Sequence, residues 1–253
     1  MRTYDCFLFF NEFDLLELRL KTLESVVDQF VLVEGSWTFS GRFKPLHFKD
    51  NISRFAKWPI RHVVFDYRVS GGAWAREHAT RDAIVDGLHD AAPDDLIFIS
   101  DVDEIWRPEA KTCLLGEYPV LTFGMTNYYY RLNTARVPHV DWPGTKRLRF
   151  RDWTSAQAVR SKAGPAMLGA GWHFSFLGNA KNAQEKMMAF SHTEYSGDDW
   201  TNLKRLTEKI EAGEDVIDPT AKYVPVPVDQ SFPKPLQDDP KRWEHLIQPV
   251  QEA

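Results

Sequence analysis

The sequence predicts an α/β fold, a mostly parallel central sheet with helices on its faces. Three features carry that reading. Tyr4 to Phe10 is a continuous apolar run. Leu16, Leu20, Leu23 and Val27 then recur at helical spacing, and Phe30-Val31-Leu32-Val33 is a second apolar run that stops at Glu34 and Gly35. Strand, helix and strand in that order make a βαβ unit, and strands buried on both faces belong to parallel sheets.

Asn11 is read as the N-cap of the first helix. Ile60 to Phe65 predicts a third strand, Trp74 to His89 a second helix, and Leu96-Ile97-Phe98-Ile99 a fourth strand between Pro93 and Asp101. Beyond Glu104 the alternation fades. Pro119 to Phe123 and Met125 to Leu132 read as strands, and Trp142 to Arg160 mixes aromatics with Lys146, Arg147, Arg149 and Arg151. Helices are predicted near Asn179 to Phe190 and from Asp198 to Ala212, the latter opening on Asp198 and Asp199. Pro225, Pro227, Pro233, Pro235 and Pro240 predict an extended C-terminal arm.

With 31 basic and 36 acidic residues the formal net charge is -5, and no basic block runs along the chain, so a nucleic-acid partner is not expected. The 2 cysteines, Cys6 and Cys113, support neither a disulfide framework nor a thiolate metal site. No stretch approaches the roughly 20 apolar residues of a membrane helix, and no small-residue cleavage site follows the N-terminus. A cytoplasmic enzyme is the expectation.

In open α/β sheets ligands bind beyond the carboxyl ends of the strands, so Glu34 and the segment Ser100 to Glu104 are expected in one crevice. The triplet Asp101-Val102-Asp103 directly follows an apolar strand, and an extended backbone would point both carboxylates the same way. Converging carboxylates repel unless a cation lies between them. Oxygen ligands of this kind suit Mg2+ or Mn2+ with positions left open for substrate phosphates. The spacing alone is equally consistent with a polar strand end that caps the following turn.

The runs Asp5-Cys6-Phe7-Leu8-Phe9-Phe10-Asn11-Glu12, Val31-Leu32-Val33-Glu34, Ser100-Asp101-Val102-Asp103-Glu104-Ile105 and Ala170-Gly171-Trp172-His173-Phe174-Ser175 together resemble glycosyltransferase family 17. That family includes the β-1,4-mannosyl-glycoprotein β-1,4-N-acetylglucosaminyltransferases. The resemblance implies a GT-A-like fold, a UDP-sugar donor (UDP-GlcNAc), a divalent metal, and transfer to a glycan or other hydroxyl acceptor with inversion. Length and composition predict a single domain over residues 1–253, here read as a glycosyltransferase domain with a nucleotide-sugar-binding half (1–105), an acceptor-side half (106–223) and the Pro-rich arm (224–253). The membrane anchor of eukaryotic members has no counterpart here, so an acceptor other than a complex glycoprotein glycan is expected.

Carried onto this chain, the resemblance implies Asp103 as a direct metal ligand, Asp101 as a contact to ribose or metal-bound water, and His173 as a nitrogen ligand, with His192 ranked second. Glu34, Lys44 and Arg81 are donor-binding candidates. A solvated strand-end carboxylate would explain Glu34, and a surface i,i+4 pair with Glu77 would explain Arg81. The base that takes the acceptor's proton is sought among Glu194, Asp141 and Asp152, with Glu194 preferred. Trp142, Trp153, Trp172 and Tyr128 to Tyr130 are candidates for sugar stacking. A metal-dependent nucleotide-sugar hydrolase and a non-catalytic nucleotide-sugar-binding protein are the alternatives.

Overall fold

The computed structural model describes residues 1–112 and 118–250, so Cys113 lies outside the described residues. The chain opens with β1 (Thr3–Phe9), α1 (Phe13–Leu23) and β2 (Gln29–Gly35). A short α2 (His47–Asn51) leads to β3 (Ile60–Phe65), then α3 (Ala73–Asp82) and β4 (Leu96–Asp101). The second half holds β5 (Glu104–Trp106), β6 (Val120–Tyr129), β7 (Thr134–Val137), β8 (Trp142–Arg149), α4 (Ala156–Ser161) and β9 (Ala166–Ser175). It closes with α5 (Ala180–Ala189), α6 (Asp198–Thr201), α7 (Leu203–Glu211), β10 (Lys222–Pro225), α8 (Lys234–Asp238) and α9 (Pro240–Trp243).

Among the described residues the strands form one sheet, ordered β10-β7-β6-β8-β4-β1-β2-β3, with β9 pairing both β5 and β6. The expectation of a mostly parallel sheet holds for β1 to β4, where β4, β1, β2 and β3 run parallel. Beyond β4 the sheet is mixed: β8, β6, β7 and β10 pair antiparallel, while β6 and β9 run parallel. A short connection between β6 and β7 returns the chain in the opposite direction, whereas the other antiparallel pairs join strands that are not consecutive in the chain.

Side-chain alternation along the first strands divides the core. Phe7 and Phe9 of β1, Phe30 and Leu32 of β2 and Phe98 of β4 face α1 and bury Leu16, Leu20 and Leu23. Cys6, Leu8, Val31, Val33, Ile97 and Ile99 point to the other side, where Ala83 and Ile84 cover them. Each fully buried Leu or Phe contributes about 1.5–3 kcal/mol, so this double layer holds the parallel strands in register.

Several local expectations are corrected. Glu12, not Asn11, occupies the N-cap of α1, and its carboxylate folds back to accept from the Phe10 and Asn11 amides at 3.1 and 3.0 Å. The two strands read around Phe123 are one, β6, with its register shifted near Gly124. The helix opening at Asp198 is two short ones, because the Asn202 side chain caps α7 afresh at the Arg205 amide. The C-terminal arm is not an extended tail: Phe232, Leu236, Trp243 and Leu246 bury against Leu15 and Leu18 of α1, and Arg242 bonds Asp14 and Glu17 at 2.8 and 2.7 Å. Prolines restrict φ without preventing a segment from packing its apolar side chains.

Asp5 breaks the apolar pattern of β1. Its carboxylate, fully buried, accepts two 2.7 Å bonds from the equally buried Arg19 of α1, and the Trp106 indole donates a third at 2.9 Å. Removing one partner of a buried pair strands the other charge. Arg19→Met is expected to cost about 3–5 kcal/mol, read as a lower urea midpoint; a change under about 1 kcal/mol would contradict this account.

Candidate active site

A cavity of about 510 Å³ opens at the carboxyl ends of β1, β2 and β4, with Phe10, Gly35 and Asp101 on its wall. Strand alternation decides which side chains reach it. In β4, Ser100 turns toward α1, where its hydroxyl meets Arg19 at 2.5 Å, and Asp101 turns toward α3 and the cavity. A turn at Val102 and Asp103 then ends the extended backbone, and Glu104 begins β5. Asp101 and Asp103 do line one cavity, but through that turn and not through continued strand alternation.

Each carboxylate of this segment has a cationic partner. Asp101 accepts from Arg81 at 3.1 Å and lies 3.5 Å from Arg160. Asp103 accepts from Lys186 of α5 at 2.7 Å. Glu104 takes a very short bond from Arg160, a 2.7 Å bond from the Trp142 indole, and the Asp101 amide at 3.1 Å. Burial would raise the Asp101 carboxyl, but Arg81 and Arg160 outweigh it and hold the group well below the usual carboxylate range. Burial likewise works against the Lys186 ammonium, yet Asp103 and then Glu12 keep it well above its ordinary value. Both therefore carry full charge at neutral pH.

His173 reaches the cavity because β9 lies against β5 and β6. Gly171 permits that approach: a Cβ there would sit 2.5 Å from the Ile105 carbonyl oxygen. The His173 Nδ1 bonds the Asn127 side-chain oxygen at 2.8 Å, and its ring stacks on Trp142 with centroids 4.5 Å apart. Since that oxygen only accepts, Nδ1 carries the proton and Nε2 presents a lone pair. Nε2 lies 3.8 Å from the Asp103 carboxylate. Burial pulls His173 below its ordinary value in spite of Asp103, so the ring is neutral at neutral pH.

Arg81 and Lys44 line the cavity. Arg81 bonds Glu77 at 2.8 Å and Gln157 at 2.6 Å, yet its buried Nε–H has no acceptor among the described residues. Lys44 lies 3.6 Å from Glu34 and bonds the Pro45 carbonyl at 3.2 Å; burial lowers its ammonium below the ordinary value. Glu34 is a correction. It is fully buried on the opposite side of β2 from Val33 and Gly35, where it accepts from the Phe48 amide at 2.9 Å and from His62 at 3.1 Å. It holds the start of α2 and does not line the cavity.

The candidate bases fall elsewhere. Asp141 pairs with His139 at 3.3 Å, Glu194 pairs with His192 at 2.8 Å on the exposed surface, and neither these two nor Asp152 lines the cavity. His192 does, packed edge-on against Trp74 at 4.7 Å. Trp142 is on the wall, whereas Trp172 bonds the Ser231 carbonyl and Trp153 packs on Phe150. Arg160 and Lys186 escape a reading by sequence. Each sits on a helix packed over the strand ends, and nothing local marks which face meets the aspartates.

Among the described residues no group of three or more His, Cys, Asp or Glu converges as a protein-built metal cage would require. What is present is a two-atom set, the Asp103 carboxylate and the His173 Nε2; Asp101 is committed to arginines, and the Asp103 oxygen facing His173 also accepts from Lys186 at 2.7 Å. That fits an ion of the kind that keeps most of its coordination for waters and substrate phosphates.

The domain is thus an α/β fold with a polar cavity at its strand ends, lined by ion-paired carboxylates and cations. The sequence pattern of glycosyltransferase family 17 matches residues 1–223, and the chain belongs to that family. The β-1,4-mannosyl-glycoprotein 4-β-N-acetylglucosaminyltransferases of Homo sapiens and Rattus norvegicus are each 36% identical over 107 residues, covering 38% of this chain and 20% of the relative. The match thus spans about a fifth of those relatives' length. Among solved structures, S. aureus TarS residues 1–349 aligns at 12% identity and a TM-score of 0.41, covering 74% of this chain and 63% of that one. The inositol-1-phosphate CTP transferase of T. maritima aligns at 13% and 0.35, covering 71% and 86%.

The corrected role of Glu34 is open to measurement. Burial would raise its carboxyl, but His62, the Phe48 amide and Lys44 outweigh burial and lower it below the ordinary 4.5. A depressed carboxyl stabilises the fold above its unfolded value and loses that contribution as pH falls through the folded one. Glu34→Gln is expected to cost about 1–3 kcal/mol at neutral pH, and the deficit should shrink in urea titrations taken well below pH 4.5. A pH-independent deficit would remove the electrostatic part of this account.

Proposed function

We propose that the protein is a metal-assisted glycosyltransferase that moves a sugar, GlcNAc in the first instance, from a UDP-sugar held in the 510 Å³ cavity to a hydroxyl acceptor. The observation that carries the reading is the set Arg81, Arg160 and Lys186 around Asp101 and Asp103, in a chain of this family. The donor sugar is taken from the names of the relatives.

In this reading the nucleoside lies toward the aromatic end of the cavity, where Trp37, Phe39 and Trp74 provide ring faces. The diphosphate lies against the guanidinium and ammonium groups. The unpartnered Arg81 Nε–H is a donor suited to a phosphate oxygen. Asp103 and His173 would hold a Mg2+ or Mn2+ ion, with Asp101 orienting Arg81 and Arg160 beside it. When bound, the ion neutralises charge on the departing diphosphate. The protein's own cations serve the same end: fixed and largely desolvated, they favour charge that develops on the leaving oxygen without having to reorganise. Displacement by the acceptor hydroxyl from the opposite face gives inversion, and the strand-end placement is what a GT-A-like fold would provide.

Two outcomes are expected. Saturating UDP with manganese should raise the unfolding midpoint, by about 2.7 kcal/mol of stabilisation at one hundred times Kd, more than ADP or UDP without metal; equal shifts from all nucleotides would remove donor selectivity. Asp103→Asn should lower UDP release from UDP-GlcNAc at least about 100-fold with the folded state retained. Full turnover in that variant would end the role of Asp103.

A further inference from the structure

A second cavity, of about 440 Å³, adjoins the first and shares Phe10, Glu12, Phe176 and Lys186 with it. The shared residues stand between the two spaces. Asp14, Arg131, Asn182, Glu185 and His245 give the second cavity polar walls, and Phe10, Phe13 and Phe176 give it aromatic ones. Polar groups beside ring faces are what a sugar presents its hydroxyls and its apolar ring face to.

Five carboxylates line the donor cavity: Glu12, Glu77, Asp101, Asp103 and Glu104. Four of them are tied to a guanidinium or ammonium group at 3.1 Å or less: Glu77 and Asp101 to Arg81, Asp103 to Lys186 and Glu104 to Arg160. A carboxylate so paired is a poor proton acceptor. Glu12 has no ion pair among the described residues. One of its oxygens, Oε2, takes the Phe10 and Asn11 amides, which fixes the side chain at the end of β1, and Oε1 has no hydrogen-bond partner among the described residues.

We infer that Glu12 is the general base of the reaction and that the second cavity is where the acceptor carbohydrate enters. The inference rests on the donor reading above. A hydroxyl of the acceptor, held beside Phe10 and Phe176, approaches the anomeric carbon of the donor across the boundary. As the new C–O bond forms, its proton passes to Glu12 Oε1. The bond from the anomeric carbon to the β-phosphate oxygen breaks with its electron pair on the nucleoside diphosphate, beside Lys186. The products are the glycoside, the diphosphate and a protonated Glu12, which returns its proton to water.

Glu12→Gln separates this role from folding, because the amide oxygen can still accept from both backbone amides. UDP affinity is measured by calorimetry, and UDP release is measured from UDP-GlcNAc with methyl β-mannoside present, an assay that counts attack by either the sugar or water. Expected is UDP affinity within about twofold of wild type and release lowered at least about 100-fold, the span of a lost general base. Glu185→Trp, on the exposed face of α5 that borders the second cavity, is expected to reduce release at least tenfold with UDP affinity unchanged. Release within about threefold of wild type in Glu12→Gln overturns the base, and unchanged release in Glu185→Trp overturns the entry route. A wild-type protein that binds UDP but releases none from UDP-GlcNAc overturns both. Failure of wild type to bind UDP at all would instead remove the donor reading, and this inference with it.

Discussion

The geometry of the site depends on one buried guanidinium. Arg19 has no exposure to solvent, and its donors are spent on two tasks: a two-bond pair with Asp5 of β1, and contacts to the Ser100 hydroxyl and to the carbonyl oxygens of Asp101 and Glu104 at 3.1 and 2.8 Å. The face of the guanidinium lies 4.4 Å from the Phe7 ring centroid. Backbone oxygens that leave a sheet at a tight turn would otherwise be buried without donors, which costs about 1–3 kcal/mol each. Arg19 satisfies them from below. The side chains of Asp101 and Asp103 are thereby left to project into the cavity, and α1 is locked to the β4–β5 turn.

Charge is balanced around that turn before any ligand arrives. Asp101, Asp103 and Glu104 meet Arg81, Arg160 and Lys186 in an interlocked set, with Arg160 shared between two carboxylates. Interactions of this kind are strong in a partly desolvated cavity, and leaving any member unpaired there is costly. In the proposed reaction a diphosphate would have to share these cations with the carboxylates, and Glu12, which has no ion pair among the described residues, acts on the Lys186 ammonium only through its charge.

The second half of the chain supplies what the parallel half lacks. β8 delivers Trp142, β9 delivers His173 and α5 delivers Lys186, each packed on the open ends of β1 and β4. The C-terminal segment, far from being a loose arm, covers α1 with Trp243 and Leu236 and so buttresses the helix that carries Arg19. Packing and the geometry of the site are linked through that helix: its outer face is held by the tail and its inner face holds the turn.

The parallel half was legible because its signals are local. Apolar runs of strand length, a helical period between them and an acidic triplet at a strand end are written in neighbouring residues, and β1 to β4 follow from them, whereas Asp101 and Asp103 share one cavity through a turn that the extended-strand reading did not contain. Glu34 was misread because a strand-end carboxylate can turn to either side, and the register of β2 sent it toward α2. The mixed half was not legible, since antiparallel pairings among β6, β7 and β8 depend on partners distant in sequence. Sequence by itself determined the α/β class, the family and the acidic strand end. Only the tertiary structure decided which cations pair with those carboxylates, that His173 faces Asp103, and that Glu12 stands unpaired between two cavities, because each depends on contacts between residues far apart in the chain whose meeting no local pattern encodes.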